Sequence, residues 1–205
     1  MSTPHSDCDD GVEQPITIGI MGAHSTGKST LLARIAHELR LRKIAVATLS
    51  DLGEQAKRLG IPILHNHTWA STQWFITRGI SNEIEAWCHA EVVLVDRAVP
   101  DALGYYLAAL HYRNQTPDPS RTGVLAHLVR THSPNYNLLF RTTLDPALPL
   151  GTDKPRDSDQ LFRQLADHHV GRVADDLGIP CRALAARDHD RAITDAVDFV
   201  FDRLQ

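Results

Sequence analysis

One stretch constrains this chain more than any other: Ile16-Thr17-Ile18-Gly19-Ile20-Met21-Gly22-Ala23-His24-Ser25-Thr26-Gly27-Lys28-Ser29-Thr30. A short apolar run rich in β-branched residues ends at Gly22 and a glycine-bounded loop follows. Lys28-Ser29-Thr30 then opens a segment, Leu31 to Leu41, whose leucines, isoleucine and alanines recur at helical spacing. Strand, glycine loop and helix in that order are the context of a phosphate-binding loop, or P-loop. Gly22 and Gly27 let the backbone wrap so that successive N–H groups converge on phosphate oxygens, and the helix N-terminus adds partial positive charge. The candidate nucleotide-binding set is Gly22, Ala23, His24, Ser25, Thr26, Gly27, Lys28, Ser29 and Thr30. Lys28 is suited to the outer phosphates as a point charge, and the Ser29 hydroxyl to Mg²⁺ beside them. A glycine-rich turn that binds nothing is the bland alternative. The pattern and its context, found together, argue against it.

At 205 residues the chain suits one domain with a substantial core and would be cramped as two. A hydrophobic share of 42% with 22% charged residues is that of a soluble globular protein, and no apolar run approaches a membrane span. Met1 to Gln14 is polar and acidic, without the basic start and apolar centre of a secretory signal. It is expected to be a disordered tail (1–14) ahead of a domain over 15–205. Cys8, Cys88 and Cys181 are odd in number and scattered, which suggests neither a disulfide framework nor a cysteine zinc site and fits a reducing cytoplasm. A net charge of −4 argues against a broad nucleic-acid surface, although a local basic cleft stays open. The oddity in the composition is its twelve histidines.

Ile44 to Leu49 reads as a buried parallel strand ending at Ser50-Asp51-Leu52-Gly53-Glu54. Ligands gather outside the carboxyl ends of such strands, so Asp51 and Glu54 are placed to meet a substrate, with a solvated loop or a helix cap as the plain alternative. Ile61 to Asn66 reads as a loop carrying His65-x-His67, two solvated histidines with no further metal-ligand partners evident. Trp69 to His89 is a long helix; on it Gln73 could offer a donor and an acceptor to a nucleobase edge beside core aromatics. Ala90 to Arg97 is a strand whose apolar run ends in Asp96, the form of an acid that orders Mg²⁺ hydration. Hydrolytic motor ATPases place a second acid next, whereas this chain has Arg97, which binds phosphate but cannot act as a base. Transfer is favoured over hydrolysis.

The remaining chain reads as a helix over Pro100–Tyr112, a loop to Arg121, a helix to about Thr131 and a strand over Asn137–Leu144. A polar lid over about 150–159, a helix over Gln160–Leu177, a strand over Cys181–Ala186 and a final helix over Asp190–Leu204 complete it. Strands separated by helices throughout imply an α/β three-layer sandwich: a parallel sheet with helices on both faces and a small lid.

With these motifs in order the chain resembles P-loop kinases, most of all the NadR-like AAA-domain group. That group includes nicotinamide riboside kinases and is related to thymidylate and deoxynucleoside kinases. The resemblance runs from about Ile16 to the C-terminus and rests on the P-loop, on Asp96-Arg97 followed by Asp101, and on a lid in which Asp153 precedes Arg156. It implies that Asp96 and Arg97 manage Mg²⁺ and the acceptor, and that Arg156 closes on the transferred phosphoryl group. Glu54-Gln55-Ala56-Lys57 resembles the group's Glu-x-Ala-Arg segment, but Lys57 cannot give a bidentate fork.

The expected function is therefore ATP- and Mg²⁺-dependent phosphoryl transfer to a small-molecule acceptor, a nucleoside, nucleotide or related ribose-bearing compound. Lys28, Asp96, Arg97 and Arg156 are the candidate catalytic residues; Glu54, Gln73, Arg97 and Arg163 are candidates for the acceptor, and Ser29 and Asp96 for the metal. Asp96 and Glu54 both remain open as proton acceptor. A regulatory ATPase without an acceptor is the alternative. A GTP switch is disfavoured, since no Asn-Lys-x-Asp guanine-reading motif is present. No membrane partner is expected, and a homodimer remains open.

Overall fold

A computed structural model of the chain describes residues 14–144 and 159–204. Within them lies a five-stranded sheet, β1 (Ile16–Met21), β2 (Val46–Leu49), β3 (Val92–Asp96), β4 (Leu138–Thr142) and β5 (Arg182–Leu184), ordered β2-β3-β1-β4-β5. Every pairing is parallel; β1 aligns Ile16 with Val92 on one side and Ile18 with Leu138 on the other.

The alternation of side chains along each strand builds two cores. Ile16, Ile18 and Ile20 of β1, with Leu94 and Phe140, pack under α1 (Lys28–Leu41) and α7 (His189–Leu204). Met21, Val93, Val95 and Leu139 face the opposite side. There they meet α3 (Trp69–Trp87), α4 (Val99–Tyr112), α5 (Pro119–His132) and α6 (Gln160–Leu177). Helix starts are set locally: the Thr68 side chain accepts from Ser71 N, Asp118 from Ser120 N and Arg121 N, and Asp159 from Phe162 N. Gly178, in the left-handed region at φ 64°, ends α6. Between α4 and α6 no side chain intervenes at Gly104, where a Cβ would come within 2.6 Å of Val170 Cγ2 and 2.7 Å of its Cα.

The expectation of a buried strand over Ile44–Leu49 needs correction: β2 is an edge strand and only partly buried, because no described strand pairs with its outer side. After it Gly53–Arg58 forms a short helix, α2, in which Glu54 and Lys57 pair at 3.0 Å. Of the expected lid only Asp159 is described; Asp153 and Arg156 lie outside the described residues, as do residues 1–13 of the expected tail. Among the described residues no helix is long and apolar enough to cross a membrane.

Candidate functional site

The carboxyl ends of β1, the central strand, and of its neighbour β3 carry the P-loop and Asp96. Gly22 (φ 134°) and Gly27 (φ 82°) are conformationally required: a Cβ on Gly22 would lie 2.2 Å from Thr142 Oγ1, and one on Gly27 would lie 2.8 Å from His189 Cε1. The loop between them is braced from within. Thr26 Oγ1 donates to Ala23 O at 3.0 Å and lies 2.7 Å from Thr142 Oγ1. The Lys28 ammonium is buried and folded back, donating to the carbonyls of Gly22 (2.9 Å) and Ala23. Burial, with Arg97 nearby, lowers its pKa to about 8. Ser29 Oγ donates to Asp96 Oδ2 at 2.5 Å, so the two candidate metal ligands stand side by side. A loop whose glycines cannot bear a side chain, a retracted lysine and a paired hydroxyl and carboxylate fit a nucleotide phosphate with Mg²⁺.

The loop is also held from outside, by two residues on different helices. Asp101 of α4, only 2% exposed, accepts Gly22 N–H at 2.9 Å through Oδ1 and Arg97 Nη1 at 2.6 Å through Oδ2. Arg163 of α6 donates to His24 O (3.2 Å) and Ser25 O (3.1 Å). Arg163, expected at the acceptor, is absent from the described residues that line the cavity and engages loop carbonyls.

Arg97 sits at the end of β3 with φ 72°, a left-handed conformation disfavoured outside glycine. Its guanidinium joins Asp101 to Asp51, donating through Nε to Asp51 Oδ2 at 2.7 Å, and it stacks over the Tyr105 ring at 4.9 Å. Against the cost of burial, Arg97 and the Gly53 N–H hold the Asp51 carboxyl below the ordinary range; at Asp101 burial prevails over Arg97 and the pKa rises.

These residues open onto a cavity of about 640 Å³ that continues to a wall of His67, Phe75, Asn82 and Tyr105. His67 is not the solvated loop histidine expected. It is 5% exposed, with its ring centroid 5.2 Å from that of Phe75, and burial together with Arg97 pushes its pKa down to about 3, so the ring is neutral. Gln73 does not line the cavity, and the amide that does is Asn82. The reason is helical phase: Phe75, Gly79, Asn82 and Glu83 share one stripe of α3, and Gln73 falls on another. Glu54 lines the cavity, with its side chain 59% exposed and paired with Lys57. Behind the wall the buried Glu83 binds His132 Nε2 and Tyr136 Oη, each at 2.8 Å.

No curated protein matches the chain. A NadR protein solved in complex with NAD and AMP-PNP is similar over 91% of this chain and 50% of its own, at 13% identity and a TM-score of 0.64. A NadR protein in complex with NR is similar over 84% and 43%, at 16% identity and 0.55. Thymidylate kinase from Ehrlichia chaffeensis is similar over 92% and 100%, at 14% identity and 0.57. The chain thus spans about half the length of the NadR chains it matches. These likenesses show the fold, that of the α/β P-loop kinases. A family model described as an AAA domain matches residues 17–191. Because that match runs from the second residue of β1 into the first turn of α7 and reaches all five strands, the chain belongs to the AAA domain family.

Proposed function

We propose that the protein transfers a phosphoryl group from ATP to a hydroxyl of a small-molecule acceptor, a nucleoside, nucleotide or related ribose-bearing compound. The observation that carries this reading is one continuous cavity lined both by the P-loop and by the ring-bearing wall of His67, Phe75 and Tyr105. A nucleotide switch has no need of that wall.

On this reading the backbone of Gly22 to Thr30 holds the donor phosphates, and the Lys28 donors turn to phosphate oxygens from the carbonyls they now bind. Ser29 and Asp96 would hold Mg²⁺, which when bound supplies charge compensation for the outer phosphates. The acceptor hydroxyl is oriented by Asp51, a cavity-lining carboxylate kept ionised by Arg97, in place of Glu54, whose side chain is turned to Lys57. Arg97 serves as the cation that fixes Asp51 and Asp101. The resemblances to NadR and thymidylate kinase support the choice of nucleoside-like acceptors.

The test is ADP release from ATP and Mg²⁺ over a panel of nucleosides, nucleotides and vitamins. Release that requires one of these acceptors is expected; release at the same rate without any acceptor would overturn the reading in favour of a regulatory ATPase.

A further inference from the structure

Resting on the nucleotide and Mg²⁺ part of that reading, we infer that Glu83 and Tyr136 are positioning residues: a buried hydrogen-bond chain behind the cavity wall holds the turn that delivers Asp96 and Arg97 to the site.

The turn cannot hold itself. Arg97 takes φ 72°, a region that L side chains enter only when their surroundings impose it. Helix α4 begins at once, and its cap residue, Ala98, has no side-chain oxygen for the first helical N–H groups. Three backbone donors follow Asp96 in succession, and each finds its acceptor elsewhere in the chain. Arg97 N–H and Ala98 N–H both donate to Ile20 O of β1, at 3.1 and 3.0 Å. Val99 N–H donates to Tyr136 Oη at 2.9 Å, across 37 residues. A tyrosine placed just before β4 thus serves as the cap of α4.

The hydroxyl is itself fixed. Its ring is seated against β1, where a Cβ on Gly19 would lie 3.0 Å from Tyr136 Cδ1 and 3.1 Å from Ala98 Cβ. Burial, with Glu83 beside it, raises the phenol well above its ordinary range, so it keeps its proton. That proton is donated to Glu83 Oε1 at 2.8 Å, which leaves an oxygen lone pair for Val99 N–H. On the other side His132 Nε2 lies 2.8 Å from Glu83 Oε2, and His132 Nδ1 lies 3.2 Å from Asn135 Nδ2. Asn135 Oδ1 accepts from Gln14 Nε2, so its NH₂ group is assigned to His132 Nδ1 and the imidazole proton to Nε2, facing Glu83. The His132 ring is stacked on Trp87, with the two planes 4° apart. Donors therefore run from both ends toward Glu83, and a buried chain satisfied in this way is rigid.

Neither Tyr136 nor His132 is among the described residues that line the cavity, and Glu83, which is, has both oxygens engaged and is 1% exposed. Their influence on a ligand passes through the turn. That turn sets Asp96 Oδ2 against Ser29 Oγ and the Arg97 guanidinium between Asp51 and Asp101. Without the Tyr136 hydroxyl, Val99 N–H and Glu83 Oε1 lose their partner in the interior. The strained backbone at Arg97 is then free to relax, and Asp96 and Arg97 move with it. The P-loop amides belong to the segment after β1 and are affected less.

The experiment measures ATP binding to the full chain by calorimetry, once with Mg²⁺ and once with excess EDTA. The ratio of the two affinities reads the metal site of Asp96 and Ser29, and the EDTA value reads the loop backbone. Tyr136→Phe keeps the ring and removes only the hydroxyl. It should lose at least about fivefold of the wild-type gain from Mg²⁺, while its affinity in EDTA stays within about twofold of wild type. With an acceptor found by the panel above, its kcat should fall about tenfold or more and its acceptor KM should change by less than about threefold. Val129→Ala, a buried change in the same layer with no side-chain bond to the turn, should lower the urea midpoint and leave the Mg²⁺ gain intact. His132→Phe keeps a ring beside Trp87 and removes one bond to Glu83; it should lose part of the Mg²⁺ gain. A full Mg²⁺ gain in Tyr136→Phe, or in His132→Phe where Tyr136→Phe does not fold, overturns the inference and leaves the kinase reading intact. An equal loss of that gain in Val129→Ala does the same, since the effect would then follow stability alone. Wild-type protein that binds no ATP, or gains nothing from Mg²⁺, overturns the reading on which the inference rests.

Discussion

Asp101→Ala isolates the contact that ties the P-loop to the helix layer. The wild-type carboxylate, 2% exposed, makes two hydrogen bonds, to Gly22 N–H at 2.9 Å and to Arg97 at 2.6 Å. Removing it leaves a buried backbone N–H without its acceptor, at about 1–3 kcal/mol, and takes one of two carboxylates from the partly buried Arg97 guanidinium. Breaking a buried pair outright costs about 3–5 kcal/mol, and since Asp51 still holds Arg97 the lower end of that range, about 3 kcal/mol, is expected. In urea unfolding this is a fall in midpoint of about 1–2 M at an ordinary m-value. ATP affinity should fall as well, because the first N–H of the loop is no longer aimed. Asp101→Asn retains an oxygen for Gly22 N–H and turns an amide toward Arg97, so it should lose about half as much. A midpoint for Asp101→Ala within about 0.2 M of wild type would refute the claim that Asp101 anchors the loop.

Asp96→Asn, which keeps the shape beside Ser29 but removes the charge, should lower turnover at least about a hundredfold and ATP affinity far less, measured across a Mg²⁺ titration; equal turnover at all Mg²⁺ concentrations would count against the metal assignment. Arg163→Met should weaken ATP binding about tenfold by releasing the His24 and Ser25 carbonyls while leaving the acceptor KM unchanged, and a rise in acceptor KM alone would restore Arg163 to the acceptor site. His67 has a pKa of about 3 in the folded protein against an ordinary 6.5, so the unfolded chain binds more protons between those values. Its contribution to stability is whole above pH 6.5 and is lost as pH falls toward 3, by up to about 1.4 kcal/mol per pH unit. Urea unfolding from pH 7 to 4.5 should accordingly be less pH-dependent in His67→Gln than in wild type, and identical slopes would show that His67 titrates normally.

The central half of the fold is legible in the sequence because each signal there is local. β1, the loop and α1 are written in consecutive residues, and the β3 run ending in Asp96 is apolar enough to be read alone. What is hidden depends on phase and on distance along the chain. Several polar residues ring α3, and nothing in their spacing marks Asn82 over Gln73 until the other helices fix which stripe faces the sheet. His67 looks like a loop residue because it is one; its burial comes from Phe75 and Tyr105, eight and thirty-eight positions away. Arg163 meets the loop across 139 residues, so its donors could not be assigned to main-chain carbonyls in advance. Asp101 was visible beside Asp96-Arg97, but its hold on Gly22 lies 79 residues away.

The bare contact at Gly104 has a consequence for how the molecule breathes. α4 and α6 touch backbone to side chain there, α4 grips the start of the P-loop through Asp101 and α6 grips its middle through Arg163. The two helices and the loop should then open as a single cooperative unit: amide hydrogens of Gly22, of α4 around Gly104 and of α6 around Val170 should exchange with one common free energy. A bulkier residue at position 104 would split that unit, letting the loop exchange ahead of either helix without any change to a residue that faces the cavity.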